Sequence, residues 1–215
     1  MDYVVEGRVW KFGDNINTDL IYPNTAFRAP EKEQHRLTFS SNRPGWVDQV
    51  REGDLIVGGL NFGMGSGRPS GKMLYECGIR GVMAETLNGL CLRNCVVAGL
   101  AASQCKGVTD LFEEGDVGRF DYVTGLVTNV TRGRSLKGEP VAPLLLETVR
   151  AGGVLPMLVR EGYVEAAAFV AASPITSTLR TSTPHAAGET YSVKMWFTMT
   201  WSEETPALIA PASPG

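Results

Sequence analysis

Ser66 sits in Gly63-Met64-Gly65-Ser66-Gly67-Arg68-Pro69, where three glycines alternate with other residues. Glycines let successive backbone N–H groups turn inward as an anion-binding nest. A helix that starts directly afterwards adds the positive end of its dipole. A hydroxyl at the centre of such a nest could have its alkoxide stabilised, which a free serine does not manage at neutral pH. Arg68 beside it could fork onto a carboxylate. Pro69 suits the first helical position, where its missing N–H costs nothing. The spacing is not the Gly-x-Gly-x-x-Gly of a dinucleotide fingerprint, and no Gly-Lys-Ser/Thr follows to make a Walker loop. A tight strand-to-helix turn without any ligand is the competing reading.

Asp14-Asn15-Ile16-Asn17-Thr18-Asp19 offers two carboxylates and two amides. A calcium loop would need a Glu at the twelfth position, and Thr25 stands there. A turn held by Asx hydrogen bonds is the simpler reading. Cys91 and Cys95 are four residues apart and could share a helix face, while Cys77 and Cys105 stand alone. With no Cys-x-x-Cys, these are expected to be buried structural thiols rather than ligands of zinc or an iron–sulfur cluster. His35 and His185 are the two histidines, one in a polar loop and one near the end of the chain, so a Ser-His triad has little support.

The elements that must carry these loops follow from pattern. Residues 3–12 alternate and read as a strand, running into the Asx-rich loop. Residues 54–60 are a short apolar strand that feeds the Ser66 loop. A helix is predicted over 70–77, stopped by Gly78, then a buried strand over 79–84. A helix over 87–98 stops at Gly99, and 100–105 is again strand-like. This alternation predicts a parallel βαβ organisation. Residues 119–123 and 126–130 read as a hairpin about Thr124-Gly125, and 141–151 and 154–161 as two last helices. The polar stretch 31–36 reads as a mobile loop. From about residue 166 Ser, Thr and Pro dominate, so 1–165 is expected to be the folded domain and 166–215 a largely disordered tail.

Composition narrows the function classes. The chain has 215 residues with a formal net charge of -3, which rules out strong nonspecific nucleic-acid binding. Polar residues interrupt every apolar run before a membrane span is reached. The first residues carry no basic region or apolar signal core, so a cytoplasmic protein with four reduced thiols is expected.

Taken in order, the loops resemble the small subunits of the 3-isopropylmalate dehydratases, the leucine-pathway branch of the aconitase family. The first signature stands as Gly13-Asp14-Asn15-Ile16-Asn17-Thr18-Asp19 with Ile21 and Pro23, and the second as Asn61-Phe62-Gly63-Met64-Gly65-Ser66 with Arg68. Arg93-Asn94 with Gly99-Leu100, Asp121 with Thr124-Gly125, and the region 144–153 also match, so the likeness covers roughly residues 3–163. The resemblance implies an α/β fold of the swivelling β/β/α type. It implies a hydro-lyase active only with a large subunit, the two forming a heterodimer, with a [4Fe-4S] cluster on that partner and none in this chain. Ser66 would take the proton from carbon while the cluster iron takes the hydroxyl. Arg68 would hold a substrate carboxylate, Gly65 and Gly67 would line the anion site, and Thr18 and Asp19 would orient Ser66 or the partner. Arg28, in the segment 24–30 beside Phe27, would read the variable group of the substrate.

The sequence departs from the family at three positions: Gly67, Pro69 and Ser70 replace a Ser, a Glu and a His. Such changes imply either a different substrate or a weakened activity. 3-Isopropylmalate leads among the substrates, followed by another alkylmalate or a homoaconitate-type acid. A noncatalytic paralogue that only binds a partner is the other reading.

Overall fold

One long strand, β1 (Val4–Lys11), organises the molecule. In this computed structural model, which describes residues 3–165, 177–180 and 190–193, its two ends pair with different neighbours. Val9 to Lys11 run parallel to β2 (Leu55–Gly58), and Val4 to Arg8 run antiparallel to the later strand at 117–121. Beyond β2 come β3 (Gly81–Ala84) and β4 (Ala101–Gln104), all parallel. On the other side come β5 (Val117–Asp121), β6 (Leu126–Asn129) and β7 (Arg134–Lys137), all antiparallel. The sheet order is β4-β3-β2-β1-β5-β6-β7.

Period-two alternation splits the core into two layers. Leu55, Val57, Met83 and Ala101 face one side with Phe112, Phe120, Tyr122, Leu146 and Val149. Ile56, Val82, Ala84 and Ala102 face the other with Trp10, Phe12, Phe39, Trp46 and Phe62. Three one-turn helices, α1 (Thr18–Ile21), α2 (Asn24–Phe27) and α3 (Glu31–Gln34), follow β1. Helix α4 (Ser70–Glu76) links β2 to β3, and α5 (Gly89–Val97) links β3 to β4. The short α6 (Val108–Leu111) precedes β5, and α7 (Pro143–Arg150) and α8 (Val154–Arg160) close the domain.

The expected α/β architecture is present, with its parallel half, its flanking helices and its hairpin over β5 and β6. The pattern reading missed β7 and the one-turn helices. The stretch 31–36 folds as α3 and a 3-10 turn (His35–Leu37), tied down by Lys72 Nζ to Glu31 at 2.8 Å and by the Cys77 thiol to the His35 carbonyl at 3.2 Å. Pro69 is the N-cap of α4 rather than its first helical residue. The tail expected over 166–215 lies outside the described residues, except that β8 (Ser177–Arg180) and β9 (Thr190–Val193) pair antiparallel.

Candidate active site

The carboxyl ends of β1 and β2 deliver the two signature loops side by side. The Asx side chains act first as fasteners. Asp14 Oδ1 accepts the Leu60 amide at 2.7 Å, and Asn15 Oδ1 accepts Asn61 Nδ2 at 2.9 Å. Asn17 Oδ1 accepts the Leu20 amide at 2.8 Å and so caps α1. Backbone bonds then lace the loops together, Gly63 N–H to the Ile16 carbonyl at 2.6 Å and Thr18 N–H to the Met64 carbonyl at 2.8 Å. The Asn17 bond is local to its own turn, as the Asx reading expects, whereas the Asp14 and Asn15 bonds reach the second loop, and Asp19 turns to Arg68.

The glycines of the second loop do different jobs. Gly63 and Gly65 have φ of +72° and +114°, where an L side chain is strained. A Cβ on Gly63 would collide with the Cys91 thiol, and one on Gly65 would stand 2.9 Å from Thr18 Oγ1. Gly67 has an ordinary φ, and a Cβ there would meet only Leu90 Cδ2, at 3.7 Å. Ser66 is exposed between them. Among the described residues, no acceptor faces the amides of Gly65, Ser66 and Gly67, and the Ser66 hydroxyl has no partner. Three consecutive N–H groups without a protein acceptor flank a hydroxyl without a partner.

Arg68 is anchored. Its Nε lies 2.7 Å from Asp19 Oδ1, Nη1 donates to the Tyr22 carbonyl at 2.6 Å, and Nη2 donates to Asn24 Oδ1 at 3.0 Å. Its guanidinium also sits 5.7 Å from the centre of the Phe27 ring, and Asn94 Nδ2 donates to its carbonyl at 2.8 Å. Asp19 therefore touches Arg68, and its own side chain is 60% exposed. Thr18 is placed differently. Its hydroxyl is buried against Gly65 and has no hydrogen-bond partner. Arg28 caps the end of α2 and is exposed, with no partner for its guanidinium among the described residues. Asn24, Asn94 and Leu90 escaped the sequence reading as site residues. Asn94 belongs to a quoted motif, but nothing in the spacing says that it holds Arg68.

The thiols are spread out. Cys91, Cys95 and Cys105 are buried, with Cys105 in one core layer and the other two in the opposite one. The bond from Cys95 holds the Cys91 thiol below its usual range, and that bond together with burial pushes Cys95 up. Burial pushes both Cys77 and Cys105 up to about 11, so neither is a thiolate ligand in waiting. Among the described residues no three His, Cys, Asp or Glu side chains converge. This donor set does not fit an iron–sulfur cluster. Ser70, in place of the family His, is fully buried, 3.8 Å from Cys91 Sγ.

No family model matches the chain. Curated relatives do. The chain is 37% identical over 161 residues to the isopropylmalate/citramalate isomerase small subunit of Methanocaldococcus jannaschii, spanning 74% of this chain and 95% of the relative. It is 34% identical to the 3-isopropylmalate dehydratase small subunit 1 of Methanopyrus kandleri, over 74% and 95% of the two chains. It is 35% identical to the homoaconitase small subunit of Thermus thermophilus, over 72% and 96%. A crystal structure of 3-isopropylmalate dehydratase from Methanocaldococcus jannaschii superposes with a TM-score of 0.68 at 28% identity, covering 74% of this chain and 95% of that one. With the sheet, the laced loops and these relatives in agreement, the chain belongs to the 3-isopropylmalate dehydratase small-subunit family of the aconitase lineage.

Proposed function

We propose that this chain is the small subunit of a hydro-lyase that interconverts 3-isopropylmalate and 2-isopropylmalate in leucine biosynthesis, working with a separate large subunit. The observation that carries the reading is the free Ser66 hydroxyl amid three unpaired amides, two residues from Arg68. The names of the relatives supply the substrate and the subunit arrangement. A [4Fe-4S] cluster held by the large subunit would supply Lewis acidity toward the substrate hydroxyl.

This chain's residues supply the other half of the elimination. Ser66, as its alkoxide, accepts the proton from the carbon next to the one that loses hydroxide, so one water leaves in total. The amides of Gly65, Ser66 and Gly67 stabilise the negative charge on the serine oxygen, and in rehydration the serine hydroxyl returns its proton to the carbon that lost hydroxide while hydroxide adds to the neighbouring carbon, so one water is restored. Arg68 presents a cationic edge to a substrate carboxylate, and Asp19 holds that edge in place. Because the base acts in the transition state, Ser66→Ala in the reconstituted enzyme is expected to lower kcat by about a hundredfold or more, with a smaller change in KM. An unchanged kcat rejects the role.

A homoaconitate-type acid is the second reading, favoured by one observation: Arg28 is exposed and unpaired beside the 40%-exposed Phe27. A free guanidinium suits a third carboxylate, and the aromatic ring suits an alkyl group. A substrate panel on wild type and Arg28→Leu separates them. A tricarboxylate-to-alkylmalate turnover ratio that falls by about tenfold assigns Arg28 to the substrate. An unchanged ratio leaves Arg28 as a solvated surface charge.

A further inference from the structure

The two halves of the Ser66 loop are held in different ways. Up to Met64 the backbone is laced to its neighbours. Asn61 N–H donates to Thr86 Oγ1 at 2.8 Å, Phe62 N–H to the Thr86 carbonyl at 3.0 Å, and Gly63 N–H to the Ile16 carbonyl at 2.6 Å. From Gly65 to Pro69 the lacing stops. Arg68 N–H turns back to the Ser66 carbonyl at 2.9 Å, Ser70 N–H to the Arg68 carbonyl at 2.7 Å, and Met73 N–H to the Pro69 carbonyl as α4 begins. Among the described residues, one hydrogen bond ties the backbone of 65–69 to a part of the fold beyond α4: Asn94 Nδ2 donates to the Arg68 carbonyl at 2.8 Å. Asn94 lies within α5, between the buried Cys91 and Cys95. Helix α4 crosses there so closely that a Cβ on Gly71 would stand 2.4 Å from the Asn94 carbonyl oxygen. The Arg68 guanidinium has separate anchors, all in the segment 19–24: Asp19, the Tyr22 carbonyl and Asn24.

Resting on the function proposed above, we infer that Asn94 is a positioning residue, acting through the Arg68 carbonyl to aim the Ser66 hydroxyl and the amides around it. The work is divided between backbone and side chain. The Asn94 amide fixes the backbone that carries the base, two residues after Ser66, whereas the anchors of the guanidinium fix the edge that meets a carboxylate. A base displaced by about 1 Å loses about a hundredfold in rate. A guanidinium still held by its three partners keeps its hold on the carboxylate. Removing the Asn94 donor therefore strikes turnover rather than binding, with no contact between Asn94 and the substrate required.

The test uses the enzyme reconstituted with its large subunit, 3-isopropylmalate as the probe, and the variants Asn94→Ala and Asn94→Leu, the second of which keeps the shape without the donor. The Arg68 carbonyl keeps its bond from Ser70 N–H, so neither variant orphans it, and melting temperatures should stay within a few degrees of wild type. In both variants kcat should fall by about tenfold or more, with KM changed by less than about threefold. In a Ser66→Ala background the same substitutions should cost less than about twofold, because a residue that acts through the serine then has nothing left to position. Independently of turnover, the backbone order parameters of Gly65, Ser66 and Gly67 in the full chain should drop from about 0.85 to below about 0.6 in both variants. Losses of kcat that multiply with that of Ser66→Ala, or order parameters that do not move, overturn the inference. A wild-type enzyme that does not turn over 3-isopropylmalate overturns the function on which it rests, and the order parameters still decide whether Asn94 holds the loop.

Discussion

Thr18 carries a hydroxyl that is buried and unpaired, pressed against Gly65 directly before Ser66. A buried polar atom left without a partner costs about 1–3 kcal/mol. Thr18→Val keeps the branched shape and removes that atom, so the isolated chain should become more stable by about 1 kcal/mol in denaturant unfolding. If the hydroxyl serves substrate or Ser66 during turnover, the same variant loses kcat in the reconstituted enzyme. Stabilisation without loss of activity assigns Thr18 to packing alone. At this scale the need for glycine at 63 and 65 could be read from the spacing, because positive φ and close approach leave few other residue types. The contact of Asp19 with Arg68 could not. It joins two loops that meet only when β1 and β2 pair, and nothing in either segment names the other.

The hairpin of β5 and β6 shows how elements add their own pH dependence. Burial alone would raise the Asp116 carboxyl, but hydrogen bonds from the Glu113 amide, Asn129 and Arg132 outweigh it and hold it below its ordinary value. Asp121 behaves alike, with burial outweighed by the Thr124 hydroxyl and the Thr124 and Val123 amides. A depressed native pKa stabilises the fold above the unfolded value of about 3.9 and is lost as pH falls through the native value. The unfolding midpoint should therefore drop below about pH 4, and Asp116→Asn should flatten that drop. A midpoint independent of pH between 5 and 2 would contradict it. The parallel half was readable because four-residue apolar strands alternate with helices that end at glycine. β7 was not, since its residues Arg134-Ser135-Leu136-Lys137 are mostly exposed and carry no apolar alternation, and only pairing with β6 marks them. The one-turn helices α1 to α3 are shorter than the window of about 11 residues over which helical periodicity is recognised.

For the whole molecule, the split of the cysteines between opposite faces of the sheet bears on the partner. The purified chain should show no iron–sulfur absorbance and no dehydratase turnover, and both should appear on adding the large subunit. Absorbance from this chain alone would overturn the assignment of the cluster to the partner. Amides of 13–19 and 61–69 should gain hydrogen-exchange protection in the complex, since both loops lie at one end of the sheet. The first strand carries a last consequence, one of time. β1 is synthesised well before β5, yet half of it waits for that strand, which is made more than a hundred residues later. Such distant pairing slows folding and leaves apolar edges exposed meanwhile. On the ribosome, Val4 to Arg8 must stay unpaired until β5 clears the exit tunnel, so nascent chains arrested before that point should be captured by holdase chaperones through the β1 segment.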